Sequence, residues 1–188
     1  MRHHLTALAL SLLACLLIGG CGGRADREAE QAFLGGKGLA DLTVLPAVLR
    51  SGEEIRYDAR EAERLAAGLT DQETARAVSG EGQAPLTAGW KASEKAMLRR
   101  SAREFRRWVR RHPVGTAYAL LPEYLLGTRM VAGVCVYVVD RQGRLAFVHR
   151  YDSNDQRYQE MMPIGPADCT NLLLGALHET LRPAPERP

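Results

Sequence analysis

The chain has 188 residues, enough for one ordinary domain and too many for a scaffold held together by disulfides alone. Hydrophobic residues make up 46% and charged residues 25%, the balance of a globular protein, which excludes collagen-like and low-complexity classes. Aromatic residues are only 6% and the net charge is +3, which argues against a stacking platform for single-stranded nucleic acid and provides no electrostatic signature of a nucleic-acid partner.

The chain opens MRHHLTALALSLLACLLIGGCGG. Arg2, His3 and His4 form a polar, positive start, and an uncharged apolar run follows from Leu5 to Ile18. That run is shorter than the roughly 20 residues a membrane-spanning helix needs and suits the apolar region of a secretory signal. Ile18-Gly19-Gly20-Cys21 closes it with an aliphatic residue, two small residues and a cysteine. This resembles the lipobox of bacterial lipoprotein precursors. The resemblance implies that residues 1–20 are a signal peptide, and that Cys21 receives diacylglycerol on its thiol and a palmitate-type acyl chain on its new amine. Gly22, in place of the Asp that retains such proteins at the inner membrane, implies the periplasmic face of the outer membrane. Acyl chains contribute about 0.8 kcal/mol per buried methylene, so three of them hold a protein stably in a bilayer.

Residues 21–40 are polar and glycine-rich and are expected to be a lipidated flexible tether. Residues 183–188, at the end of RPAPERP, are expected to be a disordered tail, leaving residues 41–182 as a single periplasmic α/β domain. Within that domain, Leu42 to Val48 reads as a first strand running into Pro46. Asp58 followed by Glu61 marks a helix start, with Ala62, Leu65, Ala66 and Leu69 at helical spacing. A weak strand is expected near Ala75 to Val78, then a loop from Ser79. Ser93 opens a long helix to about Arg111, with Met97, Ser101, Ala102, Phe105, Trp108 and Val109 facing inward, ended by Pro113 and Gly115.

Ala117 to Leu126 reads as a strand with an irregularity at Pro122. Val131 to Val139 and Leu145 to Tyr151 read as antiparallel strands joined by a tight turn at Asp140-Arg-Gln-Gly143, where Gly143 takes positive φ. Asp168 is expected to cap a last helix carrying Leu173, Leu177 and Leu181. The sum is an α/β fold: a mixed sheet of three to five strands with a late antiparallel hairpin, packed by about three helices.

The strand ending Leu45-Pro46, the Ala-, Glu- and Leu-rich helix and the hairpin VYVVDRQGRLAFVHR resemble the periplasmic α/β domains of the curli-secretion lipoprotein and of the amino-terminal part of TolB. The hairpin is also similar to the late hairpin of thioredoxin-like proteins. Those carry a CxxC or peroxidatic Cys after the first strand, whereas VLRSGEEIRYD has no Cys, so the likeness implies a degenerate thioredoxin-like protein, one form of an envelope-enzyme alternative.

Two segments stand out chemically. Residues 91–111 hold nine Lys or Arg against Glu94 and Glu104, although the whole chain carries only +3. Arg99, Arg103, Arg106 and Arg110 share a helix face, read either as solvated side chains covering apolar surface or as a basic docking surface. The partners such a surface implies are anionic lipid, an acidic envelope protein or a cell-wall polymer, besides the membrane reached through the anchor. The compartment disfavours nucleic acid.

The second segment, His149, Tyr151, Asp152, Ser153, Asn154 and Asp155, ends the last strand. His149 with Asp152 is a candidate acid–base pair for an envelope hydrolase, the alternative to a non-catalytic binding or envelope-assembly module. DSNDQRYQE lacks the Gly and closing Glu of an EF-hand, and no GxSxG, HExxH, P-loop or CxxC is present, so no metal or cofactor is expected. Glu123 is expected to face water at a sheet edge; an inward Glu123 would need an Arg partner. Cys135 and Cys169 are the cysteines left in the domain, and the oxidising compartment permits a disulfide between them, provided the last helix covers the face of Cys135.

Overall fold

The computed structural model describes residues 25–35, 40–87 and 93–181. Cys21, the signal segment 1–20 and the tail 183–188 lie outside the described residues. In chain order the elements are α1 (Arg27–Leu34), β1 (Ala40–Val44), β2 (Ala47–Ser51), β3 (Glu54–Asp58), α2 (Ala59–Asp71), β4 (Ala75–Ser79), α3 (Glu94–Arg111), β5 (Tyr118–Leu126), β6 (Val131–Asp140), β7 (Leu145–Tyr151), α4 (Gln156–Met161) and α5 (Pro166–Leu181). Mixed α/β character holds, but the described residues form seven strands and five helices, more than the three to five strands and three helices expected.

β5 is the spine of the sheet. On one side it pairs antiparallel with β6, which pairs antiparallel with β7. On the other side it is parallel to β1 along its first half and to β2 along its second. β4 lies outside β1 and β3 outside β2. The expected first strand is thus two strands, broken at Leu45-Pro46. Between the pairs Val44–Leu120 and Val48–Glu123, three residues of one side face two of the other, a one-residue bulge. The Leu120 carbonyl, which accepts from Leu45 N at 2.9 Å, points toward β1, and Pro122 two residues later points its backbone the same way. Its missing N–H therefore falls where Pro46 has already interrupted the ladder.

Strand alternation sorts the core into two layers. Leu120, Tyr124, Val134, Val136 and Val138 pack with α2, α5 and the short α1. Ala119, Leu121, Leu125, Cys135, Tyr137 and Val139 pack with α3 on the other face. The capping signals work much as the sequence suggests. Asp58 accepts from Arg60 N and Glu61 N at 3.0 and 3.3 Å, and Ser93 accepts from Ala96 N at 3.4 Å. Asp168 differs. It lies inside the first turn of α5 and reaches back to Ile164 N and Gly165 N, both at 3.0 Å, and these bonds hold its carboxyl below the usual range.

Three elements depart from the sequence reading. Residues 27–34, expected within the tether, form α1, which buries Ala29 and Phe33, with the Phe33 ring 5.1 Å from Tyr118. β3 is the outer arm of a hairpin turning at Gly52. The single turn-and-a-half of α4 buries only Tyr158.

On α3, Met97, Ser101, Ala102, Phe105 and Val109 are buried as expected, but Trp108 is half-buried and stacks between Phe105 and His112. Phe105→Ala should therefore cost about 3–5 kcal/mol in a urea melt, and Trp108→Ala distinctly less, because part of the indole is already wet. Equal losses would mean the helix is rotated from the orientation described.

Candidate functional site

The most distinctive chemistry of the domain lies under and over α3. Beneath the helix sits an ion pair from which water is wholly excluded: Arg50 of β2 and Glu123 of β5 are each 0% exposed. Arg50 Nε and NH2 both donate to Glu123 Oε1, at 2.9 and 2.6 Å. Tyr137 of β6 donates to Oε2 at 2.6 Å, and Ser101 of α3 donates to Oε1 at 3.4 Å. Glu123 thus points inward and does not face water at an edge, because strands flank β5 on both sides. Arg50 is the partner that an inward Glu123 requires. Burial, and then the Glu123 carboxylate, push the Tyr137 phenol well above its ordinary pKa, so it stays a donor.

The loop of residues 80–87 closes over this pair. Arg50 NH1 donates to the Thr87 carbonyl at 3.1 Å, and Tyr57 donates to the Ala84 carbonyl at 2.8 Å. Thr87 in turn gives its N–H and hydroxyl to Glu104 of α3, at 2.8 and 2.5 Å. Gly82, at φ +104, lets the backbone pass against Trp108.

Glu104 also takes Arg100 at 3.3 Å, and Glu94 takes Arg150 at 2.9 Å. Both acidic residues of α3 are therefore engaged. Its outward basic residues are not. Lys95, Arg99, Arg103, Arg107 and Arg111 are exposed at four-residue spacing, a strip of about 24 Å. Among the described residues none of the five lies within 4.0 Å of a carboxylate. Of the residues expected on the docking face, Arg99 and Arg103 belong to this strip. Arg106 and Arg110 do not: both reach the Gly143 carbonyl, at 2.9 and 3.5 Å, and fasten the β6–β7 turn to the helix. Gly143 sits at φ +73, and a Cβ there would meet the Arg110 side chain at 2.4 Å. Lys91, counted in the basic segment, lies outside the described residues.

The end of β7 arranges itself differently from the expected His149–Asp152 pair. Asp152 is taken by Arg150 at 3.1 Å and by the side chain of Asn154. The carboxylate nearest His149 is Asp155, at 3.7 Å, and the imidazole is 46% exposed on its side chain. Asp155, Gln156, Arg157, Glu160 and Glu179 line a groove of about 400 Å³, which His149 does not border. A second groove of about 220 Å³ lies between α1 and the hairpin, lined by Tyr118, Asp140, Arg141 and Arg144 among others. Among the described residues no three His, Cys, Asp or Glu side chains gather as a metal site would require.

Cys135 and Cys169 are both buried and free. They lie in different core layers, Cys135 under α3 and Cys169 on the α5 face, so the condition for the possible disulfide is not met and the bond does not form. Strand alternation is the cause: α5 covers the face opposite to the one Cys135 uses. Burial raises both thiols, Cys169 to about 12.

The chain matches no family model, and searches of curated proteins and of solved structures each found no match.

Glu123→Ala should destabilise the domain by about 3–5 kcal/mol, since it leaves Arg50 charged and unpaired in a dry site. Arg50→Met combined with Glu123→Leu should recover most of that loss in a denaturant melt; an additive double mutant would mean the two side chains are not coupled. In the native state neither Cys135 nor Cys169 should react with a thiol reagent, and both should label once the protein is unfolded without reductant. Rapid native labelling of either would contradict its burial.

Proposed function

We propose that this chain is a lipid-anchored, non-catalytic module of the periplasmic face of the outer membrane, which docks an anionic envelope component through the outward face of α3. The observation that carries the reading is the segregation of charge on that helix. Its two carboxylates are engaged with Thr87, Arg100 and Arg150, and the strip from Lys95 to Arg111 is left without a carboxylate partner among the described residues. A basic strip on a rigid helix presents its charges at fixed spacing, and electrostatic complementarity of this kind sets encounter and orientation. The lipobox-like Ile18-Gly19-Gly20-Cys21 supports the anchor. An envelope hydrolase centred on His149 has less support, because Asp152 is committed to Arg150.

Mass spectrometry of the purified membrane form should find Cys21 acylated and residues 1–20 removed, and Cys21→Ser should remain unprocessed or leave the membrane. Arg99→Gln with Arg103→Gln should keep the wild-type melting temperature yet elute from an immobilised polyanion at lower salt. Unchanged elution would remove the basic face from the reading.

A further inference from the structure

The chain leading back to Cys21 leaves the domain beside the β6–β7 turn. Asp26 N donates to the carbonyl of Leu145, the first residue of β7, at 2.7 Å. Asp26 also caps α1 through Ala29 N at 3.2 Å, and α1 then packs on β7 with Phe33 against Phe147. Asp26 is only five positions beyond Cys21, and five such steps extend no further than roughly 18 Å. A bilayer holding Cys21 must therefore lie close to the hairpin end of the sheet.

That end carries five arginines that no carboxylate neutralises among the described residues, and carbonyl oxygens hold three of them in place. Arg106 and Arg110 are fixed by the Gly143 carbonyl. Arg141 gives Nε and NH2 to the carbonyls of Thr116 and Gly115, each at 2.6 Å. Arg107 and Arg111 stand exposed on the last turns of α3. A carbonyl oxygen orients a guanidinium but leaves its full positive charge, whereas a carboxylate would cancel it. Of the acidic groups nearby, Asp140 and Glu28 both pair with Arg144, at 2.7 and 3.1 Å.

The opposite end of the sheet is different in kind. Met130, Met161, Met162 and Ile164 are exposed there, Ile164 by 76%, and the Val131 N–H to Pro163 carbonyl bond draws their two loops together. Ten residues of β6 separate the two ends by about 33 Å, beyond the reach of the Cys21 segment.

We propose that the corner formed by Arg106, Arg107, Arg110, Arg111 and Arg141 seats on the anionic phospholipid headgroups of the bilayer that holds the Cys21 acyl chains. This deepens the reading above, resting on acylation of Cys21, and names phospholipid as the anionic component met by the hairpin end of α3. Seated this way, the Met- and Ile-bearing end points away from the membrane, and the lipid chains and the basic corner act as two attachment signals in one place.

The test uses the full purified chain in vesicles of phosphatidylcholine with and without phosphatidylglycerol, doped with a nickel-chelating lipid. A spin label is placed at Gln142→Cys on the turn or at Ile164→Cys at the far end; the buried Cys135 and Cys169 do not compete for the label, an acylated Cys21 has no free thiol, and a chain whose Cys21 proves unmodified is labelled with Cys15 and Cys21 replaced by Ser. The Gln142 label should be broadened in the anionic vesicles, much less in neutral vesicles or at high salt, and the Ile164 label should be unaffected. Arg107→Gln with Arg111→Gln, which removes two exposed side chains that hold nothing else in place, should weaken the seated state about fivefold per arginine. Equal broadening in neutral and anionic vesicles, or broadening at Ile164 in place of Gln142, overturns the proposal. The mass of Cys21 separates the two readings. An acylated chain without charge-dependent broadening removes the seating and keeps the anchor. An unmodified Cys21 with charge-dependent broadening at Gln142 removes the anchor and keeps the seating.

Discussion

Everything on the α3 side of the sheet is organised around the ion pair between Arg50 and Glu123. Two guanidinium nitrogens, a phenol and a hydroxyl converge on one carboxylate, and they come from β2, β6 and α3 around the central strand β5. Removing two charges from water is costly, and the mutual attraction of a buried pair repays it only when geometry is good and the remaining lone pairs are filled. Here the geometry is good, and the remaining nitrogen of Arg50 finds the Thr87 carbonyl. Such a pair adds little net stability over an apolar replacement, but it penalises every arrangement that separates its members. A one-residue slip of β2 along β5 would turn Arg50 to the other face of the sheet and strand Glu123 without a cation. The pair therefore selects the register of β2 on β5, where the Leu45–Pro46 break leaves the parallel ladder short and weakly specified.

The opposite face has its own polar knot, built more cheaply. Tyr124 meets the Thr170 hydroxyl at 2.8 Å, and Thr170 donates to Glu61 at 2.5 Å. This joins β5, α5 and α2 across the apolar layer. The spine strand thus sends one polar residue to each side, Glu123 to α3 and Tyr124 to α5, as the alternation of a strand requires. These two knots tie each helical layer to the spine strand from inside the core.

Charge on α3 follows from this arrangement. The helix buries an apolar stripe, offers Ser101 to the ion pair, and uses Glu104 to hold the loop that seals Arg50 from water. Its basic residues are then divided by position. Arg106 and Arg110 hold the β6–β7 turn, Arg100 answers Glu104, and the remainder face outward. The same helix that closes the core thereby becomes the most basic surface of the domain, while the chain as a whole stays near neutral.

The sequence alone determined the elements whose signals are local. Asp58 and Ser93 as helix caps, the inward stripe of α3, the positive φ of Gly143 and the long strands β5, β6 and β7 all depend on residues within a few positions of one another, where backbone sterics and hydrophobic period decide the outcome. The excess of Lys and Arg in residues 91–111 was equally legible. Tertiary structure decided the rest. An eight-residue helix such as α1 is not stable alone and exists because Phe33 finds Tyr118 and Phe147, so its glycine-rich flanks read as a tether. β3 depends on pairing with β2, and its half-buried Ile55 and Tyr57 make a weak strand pattern. Which carboxylate stands beside His149, which arginines of α3 are occupied, and why Cys135 and Cys169 cannot meet were matters of which face each helix covers. The partner of Glu123 was legible as a residue type, an arginine, but not as Arg50, because 73 residues lie between them and only the parallel docking of β2 on β5 brings them together. Local chemistry is written in neighbouring residues; a contact across the sheet is set by the packing of the whole chain.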